Sequence, residues 1–72
     1  MKSLWNRLIK LDRSSSKSLQ IQIREGIVTA ALEKMLEVDK PLPSSRELAK
    51  DLNVARNTVV LAYQHLVDEG FL

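Results

Sequence analysis

Seventeen residues, Pro43 to Val59, restrict this chain more than any other stretch. Pro43-Ser44-Ser45-Arg46-Glu47 reads as a helix start: the Ser44 hydroxyl accepts from an early backbone N–H while Glu47, three residues on, reaches back in a capping box. The helix opened there begins at Ser45 and is short. Asn53 follows Leu52 after only two turns, and asparagine is one of the few residues besides glycine that tolerate a left-handed bend. Leu48 and Leu52 point inward, Ala49 is small where a following helix must cross closely, Val54 returns to the core and Val59 follows Asn53 by six positions. Such offsets let two short helices cross at about 90–120°, with the start of the second presented to solvent. The spacing predicts that second helix over about Arg56 to Glu69, ended by Gly70.

What remains of the 72 residues must supply the core. A chain this short hides only about 60% of the surface its unfolded form exposes, so one small domain fits and a large catalytic scaffold does not. With 44% apolar residues but only Trp5, Tyr63 and Phe71 as aromatics, the composition favours helices around an aliphatic core. Cysteine is absent and His65 is the single histidine, which excludes a disulfide framework, thiolate metal sites and a histidine pair. From Leu19 to Leu36 the apolar positions 19, 23, 27, 30/31 and 28, 32, 35/36 lie on one broad helical face, predicting a long scaffold helix. Gly26 inside it costs about 1 kcal/mol relative to alanine and lets another helix come close. Lys40-Pro41 and Pro43 end this stretch.

Ser14-Ser15-Ser16, with Lys17 and Ser18, makes a polar break that divides the chain into a basic arm over residues 1–18 and a helical domain over residues 19–72. In the arm Leu4, Trp5, Leu8, Ile9 and Leu11 recur at helical spacings, which suits either a short amphipathic helix or an extended piece near Ile9 to Leu11, docked on its own domain or on a neighbour. The net charge of +2 conceals a gradient: six cations less two anions give +4 over residues 1–25, and five less seven give −2 over residues 26–72. That balance permits an acidic polymer as partner without requiring one. No run of 18 apolar residues suggests a membrane span and the start lacks a cleavage signal, so the expectation is a cytoplasmic chain without a membrane partner.

On the last helix Val59, Ala62, Tyr63, Leu66 and Val67 form the inward stripe, leaving Arg56, Asn57, Val60 and Gln64 outward. An arginine near a helix start can pair with guanine in two hydrogen bonds and an asparagine with adenine, while Thr58 can bond a phosphate beside uncommitted N–H groups. Equally, Arg56 and Asn57 read as solvated first-turn residues and Thr58 as a local capping group.

Several pieces together resemble the winged helix-turn-helix of the GntR family of bacterial transcription regulators, particularly its MocR-like subgroup. They are Leu11-Asp12-Arg13-Ser14-Ser15-Ser16, Leu42-Pro43-Ser44-Ser45-Arg46-Glu47-Leu48-Ala49, Val54-Ala55-Arg56-Asn57-Thr58-Val59, Ala62-Tyr63, and Leu66 through Glu69-Gly70-Phe71-Leu72. The resemblance implies that Arg46 and Arg56 contact bases and that Ser44, Asn57 and Thr58 lie at or near the DNA. It also implies a β wing beginning at about Leu72 and, in MocR-like members, a further domain that binds pyridoxal phosphate; no cofactor is expected within these residues. Three positions depart from the family pattern. Ala55 stands where serine or threonine usually caps the recognition helix, Asn53 replaces the turn glycine, and Leu32 to Lys40 is about one helical turn longer than is typical.

The expected fold class is therefore all-α, a three-helix helix-turn-helix of winged-helix type cut before its wing, with a short N-terminal arm or helix. The expected function is sequence-specific binding of double-stranded DNA in transcription regulation, with the full-length protein a homodimer. Arg56 and Asn57 would read base edges, Arg46 an edge or the backbone, and Ser44, Lys50 and Thr58 would sit against phosphates, with Gln64 farther along the groove face. The competing reading is a helical protein-protein interaction module with Val60 and Leu61 as its apolar contact. Enzyme readings fare worse. Ser14 and Lys17 match a Ser-x-x-Lys pattern without the other motifs such acyl transfer needs, and His65 has no nearby nucleophile.

Overall fold

The computed structural model describes residues 4–33 and 42–71, within which it forms four helices and no strand. They are α1 (Leu4–Leu8), α2 (Leu19–Leu32), α3 (Ser45–Leu52) and α4 (Arg56–Asp68). Helix α4 packs on both α2 and α3, and α1 packs on α3. The three longer helices are those expected, and the arm supplies the fourth as a single turn.

Local chemistry explains each boundary. Helix α2 starts behind Ser18, whose hydroxyl accepts from the Ile21 N–H at 3.2 Å. It ends at Leu32 rather than at the expected Leu36; positions 34–36 lie outside the described residues, as do the Lys40-Pro41 stop and most of the long stretch before it. Helix α3 ends where predicted, with Asn53 at φ 56°, ψ 50°. There the Val54 N–H donates to the Ala49 carbonyl at 3.0 Å and the Asn53 N–H to the Lys50 carbonyl at 3.3 Å, the paired bonds of a Schellman ending. Helix α4 ends in the same way around Gly70 at φ 84°, with Phe71 N–H donating to the Leu66 carbonyl and Gly70 N–H to that of Val67. One left-handed position is filled by asparagine and the other by glycine, and the hydrogen-bond pattern is the same.

The core is aliphatic, and among the described residues it contains no buried polar or charged residue. Leu48 and Leu52 of α3, Ile23 and Ile27 of α2, and Val59 and Leu66 of α4 meet at its centre, with Ala49 and Ala62 where helices approach. Two large residues of the predicted apolar faces are exposed instead. Leu32 is 73% exposed; at 100° per residue it lies about 180° around α2 from Ile23, so the second apolar row strays off the packed face. Val67 is 51% exposed because it sits about 100° past Leu66, beyond the stripe of Val59, Ala62 and Leu66.

The arm belongs to this core. Ile9 is only 3% exposed, and Trp5, Leu8 and Leu11 pack around the same cluster. Gly26 does provide close approach, but to the arm rather than to a helix: a Cβ built there would stand 3.0 Å from Ile9 Cγ1 and 3.3 Å from Cγ2. Two polar contacts join α2 to α4. The Arg24 Nε and Nη2 donate to both Glu69 carboxylate oxygens, an arrangement that raises the arginine pKa and lowers that of the glutamate. Gln20 and His65 meet through their Nε2 atoms at 2.9 Å.

The contact at Gly26 predicts a coupling. Gly26→Ala should stabilise an Ile9→Ala background by about 1 kcal/mol, the ordinary helix gain, and stabilise the wild-type chain by less, because there Ile9 must shift. Denaturant unfolding of the four proteins checks this; equal gains in both backgrounds would place Ile9 away from the glycine.

Candidate nucleic-acid interface

The α3–α4 corner gathers most of the residues singled out from the sequence. Ser44 caps α3, its hydroxyl accepting from the Glu47 N–H at 3.1 Å, which is the serine half of the capping box. The glutamate side of the box does not form; its carboxylate instead lies close enough to Tyr63 to oppose ionisation of the phenol. Arg46 is exposed on the first turn of α3 and takes no part in the two ion pairs between described residues, Lys17–Glu25 and Arg24–Glu69. Lys50 is exposed on the last turn.

Arg56 is the first residue of α4 and is exposed, as expected, but its guanidinium is tethered: Nε donates to the Ser45 hydroxyl at 3.3 Å. That bond has a geometric consequence. It ties the first residue of α4 to the first residue of α3, next to the Ser44 cap. Asn57 is exposed beside Arg56. Thr58 is half-buried, and its N–H donates to the Ala55 carbonyl at 3.0 Å. Gln64 is exposed two turns along, with Nε2 donating to Asp68 Oδ1 at 3.1 Å. Ala55 makes no side-chain cap bond, leaving the leading N–H groups of α4 without one.

Tyr63 does more than fill the core. Its hydroxyl donates to the Pro43 carbonyl at 2.6 Å, fastening α4 to the residue just before the α3 cap. Burial pushes the phenol pKa up to about 12, with the Glu47 carboxylate adding to the shift. Helical spacing places this residue in the inward stripe but does not reveal its bonding partner, which lies 20 residues away on another segment. Arg13 went unmarked as well: its Nη2 donates to the Asn53 carbonyl at 2.8 Å and to the Leu52 carbonyl at 3.4 Å. The enzyme-like pair separates, with Ser14 bonded to the Asp12 carboxylate and Lys17 to Glu25. Among the described residues no group of acidic or histidine side chains could hold a metal, and no helix is long and apolar enough to cross a membrane.

Two outcomes follow at this corner. Ala55→Ser should supply the absent cap and raise stability by about 0.5–2 kcal/mol, measured by thermal or denaturant unfolding. Tyr63 should produce an alkaline loss of stability. The unfolded phenol releases its proton near pH 10 and the folded one near pH 12, so its contribution is complete below about pH 10 and disappears as pH rises through that window. Tyr63→Phe should abolish this component in melting curves recorded from pH 9 to 12.

The chain matches the family described as bacterial regulatory proteins, gntR family, over residues 18–72. Among curated relatives it is 37% identical over 65 residues to the "Probable rhizopine catabolism regulatory protein MocR" of Rhizobium meliloti, covering 90% of this chain and 13% of that protein. It is 39% identical over 64 residues to the "HTH-type pyridoxine biosynthesis transcriptional regulator PdxR" of Corynebacterium glutamicum, covering 89% of this chain and 14% of the other. With the "HTH-type transcriptional repressor NagR" of Bacillus subtilis it shares 36% identity over 64 residues, 89% of this chain and 26% of that one. No solved structure matches it. The capped start of α3 and the α3–α4 corner lie within the residues that the family match covers, and the chain belongs to the GntR family of bacterial regulatory proteins.

Proposed function

We propose that this chain is the sequence-specific DNA-binding unit of a bacterial transcription regulator acting in the cytoplasm, with residues 19–72 as the binding domain and residues 1–18 as an arm docked on it. The observation that carries the reading is the Ser45–Arg56 bond at the α3–α4 corner, which ties the first residue of the uncapped α4 to the capped start of α3. Two helix N-termini with exposed arginines match the charge and hydrogen-bonding character of a DNA groove and its phosphates. The family and the DNA-regulating relatives support the same reading.

In this mechanism α4 enters the major groove by its first turns. Arg56 exchanges its bond to Ser45 for two bonds to a guanine edge, and Asn57 reads the adjacent base. Arg46 reaches an edge or the backbone from α3, while Ser44, Lys50 and the Thr58 hydroxyl sit against phosphates. Gln64 lies farther along the groove face, where it must release Asp68 to make a contact. The α4 helix carries one arginine and no lysine, so a single module binds weakly and the full-length protein works as a homodimer on two half-sites.

The exposure of Val60 and Leu61, 41% each, supports the competing protein-interaction reading and supplies its test. Arg56→Ala should cost about 1–3 kcal/mol on a duplex that the wild-type chain selects from a random pool, and much less on a scrambled duplex. Fluorescence anisotropy at fixed salt measures both. Loss on neither duplex would favour the interaction module.

A further inference from the structure

We propose that Arg13 is a positioning residue for DNA recognition, tying the loop before α2 to the turn that aims α4; this rests on the DNA-binding reading. The Schellman ending of α3 occupies the Ala49 and Lys50 carbonyls, and farther along the same turn the Leu52 and Asn53 carbonyls are the ones that Arg13 Nη2 approaches at 3.4 and 2.8 Å. A cation there also faces the negative end of the α3 dipole. Just beyond lies Ala55, which contributes no side-chain bond to the start of α4, so Arg13 supplies a tie that the turn does not make for itself.

The other end of the tie is firmly held. Gln22 on α2 accepts from the Asp12 N–H at 2.7 Å and donates to the Asp12 and Lys17 carbonyls, each at 2.9 Å. The Asp12 carboxylate accepts from the Ser14 N–H at 3.0 Å and the Ser14 hydroxyl at 2.6 Å. Arg13 is thus mounted on a loop braced against the scaffold helix, and it reaches across 40 residues of sequence to the carbonyl three positions before Arg56. The loop and the recognition helix consequently move as one body, and the setting of Arg56 depends on an arm residue that touches no base.

The test compares the wild-type 72-residue chain with Arg13→Ala, Arg13→Lys and Arg56→Ala. Each is titrated with the duplex selected by the wild type and with its scramble over a range of salt, and amide hydrogen exchange is followed in the free proteins. Arg13→Ala should weaken the selected duplex roughly tenfold, about one charge-assisted hydrogen bond's worth, and weaken the scramble less, with an unchanged salt slope. Exchange at the Val54 amide should quicken about tenfold while Ile27 in α2 is unaffected. Arg13→Lys, which keeps one donor, should fall between the two and replaces Arg13→Ala in every comparison if the alanine variant does not fold.

Unchanged affinity with unchanged Val54 exchange overturns the proposal. So does a salt slope reduced by about one with Val54 unaffected, which marks Arg13 as a direct phosphate ligand. Exchange quickened equally at Val54 and Ile27 marks a general loss of stability and overturns it too. If the wild type selects no duplex, the DNA reading fails by itself, and Val54 exchange still decides whether Arg13 holds the turn.

Discussion

The left-handed ending of α3 at Asn53 is the constraint on which the arrangement depends. At this point the chain leaves one short helix and enters another, and the two must separate without leaving buried carbonyls or N–H groups unmatched. Backbone donors from Asn53 and Val54 close the Lys50 and Ala49 carbonyls, and Arg13 reaches those of Leu52 and Asn53. Leu48 and Leu52 then stay in the core while Val59 and Leu66 face them from α4. A different backbone state at position 53 would turn α4 to another heading and take Arg56 away from Ser45.

The start of α4 is built differently from the start of α3. Ser44 satisfies a leading N–H of α3 with its own hydroxyl, whereas Ala55 offers α4 nothing comparable. An uncapped helix start is less stable alone, and it keeps its positive end available to an incoming oxygen. Stability at this corner is supplied from farther away, by Tyr63 on the Pro43 carbonyl and by Arg13 on the turn. The start of α4 is thereby left without a side-chain cap while tertiary contacts hold the frame.

The basic residues of the arm divide by role. Lys17 pairs with Glu25 and Arg13 serves backbone carbonyls, while Arg24, just inside α2, binds Glu69. Charge counted along the sequence therefore overstates what the front half offers to a polyanion. Arg46 and Arg56, exposed on the first turns of α3 and α4, come from the segment whose summed charge is negative.

Local chemistry determined the helix starts at Ser45 and Arg56, the bend at Asn53, the stop at Gly70, and the inward set Leu48, Ala49, Leu52 and Val59. Each depends on residues within a few positions of one another, so capping, turn preference and helical period settle them. Where the period was followed too far, at Leu32 and Val67, it failed, because a helix face has a width that only its neighbours define. The contacts of Arg13 with Asn53, Tyr63 with Pro43, Arg56 with Ser45 and Ile9 with Gly26 were decided by the tertiary structure alone. They join segments distant in sequence, and nothing in local spacing encodes which donor meets which carbonyl once three helices and an arm have closed around one core.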